Sequence, residues 1–210
     1  MNSPFDGISR SQANKLFDLL ETHIYKFNKN QEVLPTLKNA NIVGIVLHGS
    51  IQINYIEYNG NEIVLEELSE NNVFGSYMSL TNDENCQIIA KEDSEILVID
   101  NNKLLNPKNL KYAYYNIFFR NLFIIINTKL KERNERIRIL EKKQIREKLL
   151  EYFEIEHKKS LSKVIYLPFN LKDLADYIAV NRSAMFRELK NLKDEKFIEV
   201  KNRRITLLYK

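Results

Sequence analysis

The chain has one cysteine, no tryptophan, four prolines and five glycines in 210 residues, and each shortage excludes something. A single thiol, Cys86, rules out an intramolecular disulfide and any cysteine-only zinc or iron–sulfur site within one chain. No phosphate-binding glycine loop, dinucleotide pattern, paired-cysteine motif or His-x-x-x-His spacing occurs, so no metal site is expected. His23, His48 and His157 are scattered and read as surface or strand residues. Glu66 and Glu67 are adjacent on what reads as a strand, where they point to opposite faces and make a poor acid–base pair. An enzyme is therefore not expected. Long hydrophobic runs are missing too: Tyr112 to Ile126 is broken by Asn116, Arg120 and Asn121 and falls short of the roughly 20 residues that span a bilayer. Met1 to Arg10 is polar, unlike a signal peptide, so a cytoplasmic location without a membrane partner is expected.

What is present is enough apolar content, 44%, to bury a proper core, and a lopsided distribution of charge. Residues 1 to 100 hold 6 Lys/Arg against 15 Asp/Glu, and residues 101 to 210 hold 26 against 13. The overall +4 conceals an acidic half and a basic one. The basic half suits a polyanion, and the acidic half would be held away from it, which favours an oriented approach.

All five glycines (Gly7, Gly44, Gly49, Gly60, Gly75) fall in the first 75 residues, so turns are expected early and helices late. Short alternating runs follow a helix around Ser11 to Leu20: Ile42 to Leu47, Ile51 to Tyr55, Ile63 to Leu68, Ile88 to Ala90 and Ile96 to Ile99. Asn59-Gly60, between two of them, is a strong hairpin signal. These runs predict an antiparallel β-roll or jelly roll over residues 1–108. Past Pro107 a long helix is predicted, about Leu110 to Glu135, apolar nearly all round in its first half. Such a helix needs two partners. One face would pack on the β-roll and the other on the same helix of a second subunit, with Phe118, Leu122, Ile125 and Ile126 as interface residues in a dimerisation segment 109–138.

The third segment, 139–210, carries the most informative pattern. After an amphipathic helix from Leu140 to His157 and a short strand from Val164 to Leu167, Leu171 to Leu192 reads as two short helices joined by a tight turn. Asn170 would cap the first, with Leu174, Ala175 and Ile178 on its apolar face. Asn181 would cap the second, with Met185, Leu189 and Leu192 facing the core and Arg182, Ser183, Phe186, Arg187 and Lys190 facing out. An arginine near the start of such a helix can fork onto a guanine edge. Arg182, Ser183 and Arg187 are the candidate base readers. Two β-rich runs then flank Lys201-Asn202-Arg203-Arg204, predicting a hairpin with Asn202 at positive φ. A helix-turn-helix with such a wing is a winged helix. Lys172, Asn181, Lys190, Lys201, Arg203 and Arg204 are the candidate backbone contacts on double-stranded DNA.

The order of an N-terminal β-roll, a long helix and a C-terminal winged helix resembles the Crp/Fnr family of bacterial transcription regulators over essentially the whole chain. Leu174-Ala175, Asn181-Arg182, Arg187, Leu189 and Leu192 fit its helix-turn-helix pattern. Gly49 fits a strand-turn glycine, and Phe74-Gly75 fits the start of its effector cassette, which makes Phe74, Gly75, Ser76 and Tyr77 the candidate effector pocket. The resemblance implies an α+β homodimer reading a two-fold symmetric operator, with recognition helices in major grooves about 34 Å apart. It also implies a small-molecule effector and RNA polymerase as further partners. Departures narrow the expectation. In cyclic-nucleotide-binding members a glutamate follows Phe-Gly and an arginine holds the phosphate; here Ser76 follows, and Thr81 to Lys91 has no arginine. Tight cyclic AMP binding is not expected. The cysteine count argues against an iron–sulfur sensor, while His23 or His48 could serve haem as an axial ligand; the cofactor is unknown. On the second helix, Ser183 stands where the family commonly has glutamate, and Glu188 where it prefers an apolar residue. Two other readings are a regulator active without effector, and a protein-interaction module whose winged helix binds a protein.

Overall fold

A computed structural model describes residues 3–33, 41–75 and 85–209, and divides the chain into two compact units, Met1–Thr128 and Lys129–Lys210. Helix α1 (Arg10–Leu20) opens the first unit through a reciprocal cap. The Ser9 hydroxyl accepts from the Gln12 amide, and the Gln12 side chain accepts from the Ser9 amide. Leu16 and Leu20, four residues apart, bury its apolar face. Among the described residues seven strands follow: β1 (His23–Phe27), β2 (Ile42–His48), β3 (Ser50–Ile56), β4 (Glu62–Ser69), β5 (Val73–Gly75), β6 (Cys86–Ala90) and β7 (Ser94–Asp100). They form two antiparallel sheets, one in the order β1-β7-β2-β5 and the other β4-β3-β6.

The alternation of side chains along β2 and β7 explains why both read as almost unbroken apolar runs. Ile42, Val46, Ile96 and Val98 point between the sheets, where they meet Ile51 and Ile53 of β3 and Ile88 and Ala90 of β6. Val43, Ile45, Leu97 and Ile99 point the other way, onto helices. A strand covered on both faces has no polar side to show. Asn59 and Gly60 do sit in the turn between β3 and β4, with Gly60 at φ +82°. Gly49, between β2 and β3, has φ +79°, and a side chain there would run into the Asp93 carbonyl. Phe74 is fully buried with its ring against Gly44, where any Cβ would come within 2.4 Å of it.

A one-turn helix, α2 (Asn101–Leu104), and a 3-10 turn (Pro107–Lys111) lead into the long helix α3 (Ala113–Leu140). Tyr115, Phe118 and Leu122 are buried against Leu97, Ile99 and Val43 of the sheet, and Phe5 stacks on Phe118 at 5.5 Å. This corrects the interface expected from sequence. Phe118 and Leu122 are 0% and 3% exposed and are spent on their own β-sheet, so neither can meet a second helix. Ile125 is half-buried against the same core and Ile126 is half-buried. The exposed apolar side chains of α3 are Phe123 (62%), Ile124 (41%), Leu130 (54%), Ile137 (51%) and Leu140 (37%). The pattern expected as the outer seam is thus one residue out of phase, a rotation of about 100° on a helix with 3.6 residues per turn.

Candidate nucleic-acid interface

Within the second unit, helix α4 (Ile145–Ser160), strand β8 (Val164–Tyr166), helices α5 (Leu171–Tyr177) and α6 (Arg182–Asp194), and strands β9 (Ile198–Lys201) and β10 (Arg204–Leu207) follow in order. The core beneath them joins Leu149, Tyr152 and Phe153 of α4 to Leu174 and Ala175 of α5 and Met185, Leu189 and Leu192 of α6. Ala175 has no exposed surface, as a small residue must where two helices cross closely.

Each helix of the motif starts on an asparagine. The Asn170 side-chain oxygen accepts from the amides of Lys172 and Asp173 at 2.8 and 3.1 Å, and that of Asn181 accepts from the Ala184 amide at 3.2 Å. Asn181, expected at a phosphate, therefore has its oxygen committed to the cap, which leaves its amide nitrogen as the donor for such a contact. The turn between the helices is made by Ala179 in the left-handed region, φ +51°, and is held from below by Lys148, whose ammonium donates to the Ile178 carbonyl at 3.1 Å. A cation on the last carbonyls of α5 also suits the negative end of its dipole.

On α6 the side chains of Arg182, Ser183, Phe186, Arg187 and Lys190 are all exposed, as their spacing predicts. Lys172 on α5 is exposed as well. Arg182 is bound to the Asp176 carboxylate at 2.6 Å, which favours the charged guanidinium. Lys201, Asn202, Arg203 and Arg204 are exposed at the tip of the β9–β10 hairpin, with Asn202 at φ +55° and Lys201 paired with Arg204. The wing is a sheet of three strands, not the two expected: β8 pairs with β10, giving the order β8-β10-β9. The extra ladder anchors the hairpin base while its tip stays in water.

The arrangement also contains residues that pattern reading passed over. Arg146 of α4 donates to Glu188 at 3.3 Å and to both carboxylate oxygens of Glu195, and lies over the Phe197 ring at 5.0 Å. That hydrogen bond holds the Glu195 carboxyl below its ordinary range. Glu188, out of place in an apolar pattern, is thus the handle by which α4 grips α6. The signal available in the sequence is the glutamate that breaks the apolar pattern of α6; Arg146 is one of several charged residues on the amphipathic helix α4 and nothing in the pattern singles it out. Where α3 enters this unit, Arg138 and Lys142 pair with Glu151, Lys159 bridges Glu135 and Glu156 at 2.9 Å each, and Arg136 lies over the Tyr177 ring at 5.3 Å. The stretch from Glu135 to Lys142 is therefore tied to both α4 and α5.

Of the candidate effector residues, Phe74 is enclosed by the inner core and Gly75 ends β5 opposite Val43; Ser76 and Tyr77 lie outside the described residues. Among the described residues no cluster of three His, Cys, Asp or Glu side chains could hold a metal ion, and no helix is long and apolar enough to cross a membrane.

The two units together define a class: a cyclic-nucleotide-binding-type β-roll followed by a Crp-like helix-turn-helix. The sequence matches the cyclic nucleotide-binding domain family over residues 25–106 and the Crp-like helix-turn-helix domain family over residues 144–209. The chain belongs to the Crp/Fnr family, whose members are transcription regulators that bind DNA and not enzymes. Among solved structures, a mutant CooA from Carboxydothermus hydrogenoformans is similar at 21% identity and a TM-score of 0.56, over 91% of this chain and 86% of that one. CprK complexed with OCPA is similar at 18% identity and 0.55, over 93% and 91%. A cysteine-to-serine CprK with the same ligand gives 15% and 0.60, over 92% and 89%. At these identities the likeness is one of fold. No curated protein matches the sequence.

Proposed function

We propose that this chain is a cytoplasmic, homodimeric regulator that binds a two-fold symmetric operator through α6 and the β9–β10 wing. In this reading a small-molecule effector, not cyclic AMP, acts on the β-roll, and RNA polymerase is a further partner. One observation carries the reading. A single edge of α6 presents Arg182, Ser183, Phe186, Arg187 and Lys190 to solvent, while Met185, Leu189 and Leu192 on the opposite edge anchor the helix. Arg182 and Arg187 have the forked donors that recognise guanine. Lys172, Lys190, Lys201, Arg203 and Arg204 are placed for phosphates. The exposed heptad seam of α3, at Phe123, Leu130 and Ile137, supports a second copy as its cover.

Substitution separates the two kinds of contact. Arg182→Ala should cost about 1–3 kcal/mol on the selected operator and relax preference at one base position. Arg203→Ala should weaken binding to every duplex alike and reduce the salt slope by about one unit. Fluorescence anisotropy at several salt concentrations checks both; equal, sequence-blind losses would mean α6 does not read bases. Indifference of the wild-type chain to duplex DNA at low salt would favour the protein-interaction reading instead. For the sensor, calorimetry with cyclic AMP should give no micromolar binding, since no arginine lies between Thr81 and Lys91 to meet the cyclic phosphate.

A further inference from the structure

Asp176 stands at a position where its charge does the helix that carries it no service. It is in the last turn of α5, where a carboxylate faces the negative end of the helix dipole. Its partner, Arg182, is the first residue of α6, so the 2.6 Å contact reaches across the turn from one helix of the motif to the other. Both side chains are more than half exposed, 59% and 56%, and ion pairs in such surroundings add little to stability. The turn is already fastened by the Asn181 cap and by Lys148 on the Ile178 carbonyl. Neither helix stability nor the turn therefore accounts for the pair.

We propose that Asp176 is a positioning residue for base recognition: it orients the Arg182 guanidinium for guanine and penalises duplexes that offer none. This rests on the DNA-reading assignment of α6. A guanidinium has five N–H donors, and the Asp176 contact goes to the single nitrogen Nη2. Two donors suffice for a guanine edge, so the arginine can hold base and carboxylate together. Tethering removes rotamer freedom that a long exposed side chain would otherwise lose on binding. The same carboxylate brings a negative charge to the end of the motif that meets the polyanion. On a matched site that repulsion is offset by an arginine engaged on both sides. On an unmatched duplex the carboxylate is merely repelled, and binding weakens.

The test takes the full-length chain and a duplex selected by the wild type from a randomised library, with a scrambled duplex of equal length as reference. Asp176→Asn removes the charge and keeps the shape. The expected result is a loss of about threefold to tenfold on the selected duplex, a gain of similar size on the scrambled one, and unfolding at the wild-type temperature. Replacing the contacted guanine by 7-deazaguanine should weaken the wild type and leave Arg182→Ala indifferent, with Asp176→Asn between them. The double variant should bind no worse than Arg182→Ala alone. Asp176→Asn discriminating as well as the wild type, or losses that add in the double variant, would overturn the proposal while leaving α6 as the reading helix. A wild-type chain that selects no sequence at all would remove the DNA-reading assignment and this proposal with it.

Discussion

Replacing Leu130 and Ile137 together by glutamate is expected to convert dimers into monomers in sedimentation velocity, with the far-UV circular dichroism of the wild type retained. Affinity for a two-fold symmetric operator should then fall by about 10²–10⁴, because the second half-site is no longer bound as an intramolecular event. The two residues lie seven positions apart on α3 and are 54% and 51% exposed, so a change there opens no cavity and strands no buried group within the chain. Phe123 lies seven residues before Leu130, and Ile126 and Leu140 fall between and after them at the alternating spacing of a two-helix seam. Two copies in register would bring glutamates face to face where water is largely excluded, and like charges repel strongly in such surroundings. A dimer that survives both substitutions would place the interface elsewhere.

How much of this was legible beforehand depends on which physical signal each element carries. Strands β2, β3, β6 and β7 are visible because alternating or continuous apolar runs are what buried strands require; β4 carries such a run although only its Leu68 is buried, and Asn59-Gly60 marks the turn before it. Strand β1 was not visible. Its residues His23 to Phe27 are mostly exposed, and the helix before it is ended by Glu21 in the left-handed region, φ +49°, with no glycine to signal the stop. The same device recurs at Leu161, Ala179 and Lys196, all non-glycine residues at positive φ. With no glycine after residue 75, the chain closes α4, α5 and α6 on such residues. Helix α4 accordingly runs on to Ser160, past the His157 at which its apolar pattern stops, and α5 ends at Tyr177. In the motif the outward face of α6 was legible from spacing alone, because Met185, Leu189 and Leu192 leave only one solution for the other side. The ion pairs of Arg146 and Asp176 were not. A charged residue on a helix surface has several partners within reach of its side chain, and only the packing of α4 and α5 on α6 selects among them.

The packing of α3 on the β-roll yields the sharpest stability prediction. Phe118→Ala is expected to lower the unfolding free energy by about 3–5 kcal/mol in urea titrations, the range for emptying a fully buried phenylalanine site. Phe118 has no exposed surface, stacks on Phe5 and lies among Tyr115, Leu122, Leu97 and Ile99, so its removal leaves a void that helix and sheet cannot close without breaking the contacts of α1. Phe123→Ala, five residues on, should cost the fold far less, since 62% of that residue already meets water. Dimerisation should show the reverse order, weakened by Phe123→Ala and unmoved by Phe118→Ala at denaturant concentrations where both variants stay folded. The contrast arises because residues 118 and 123 differ by five positions, about 140° around a helix, so one points into the β-roll and the other away from it. Had Phe118 been an interface residue, as the sequence pattern alone invites, its loss would dissociate the dimer and spare the monomer's midpoint; that result would return the sheet-facing seam to the outside and undo the packing of α3 described here.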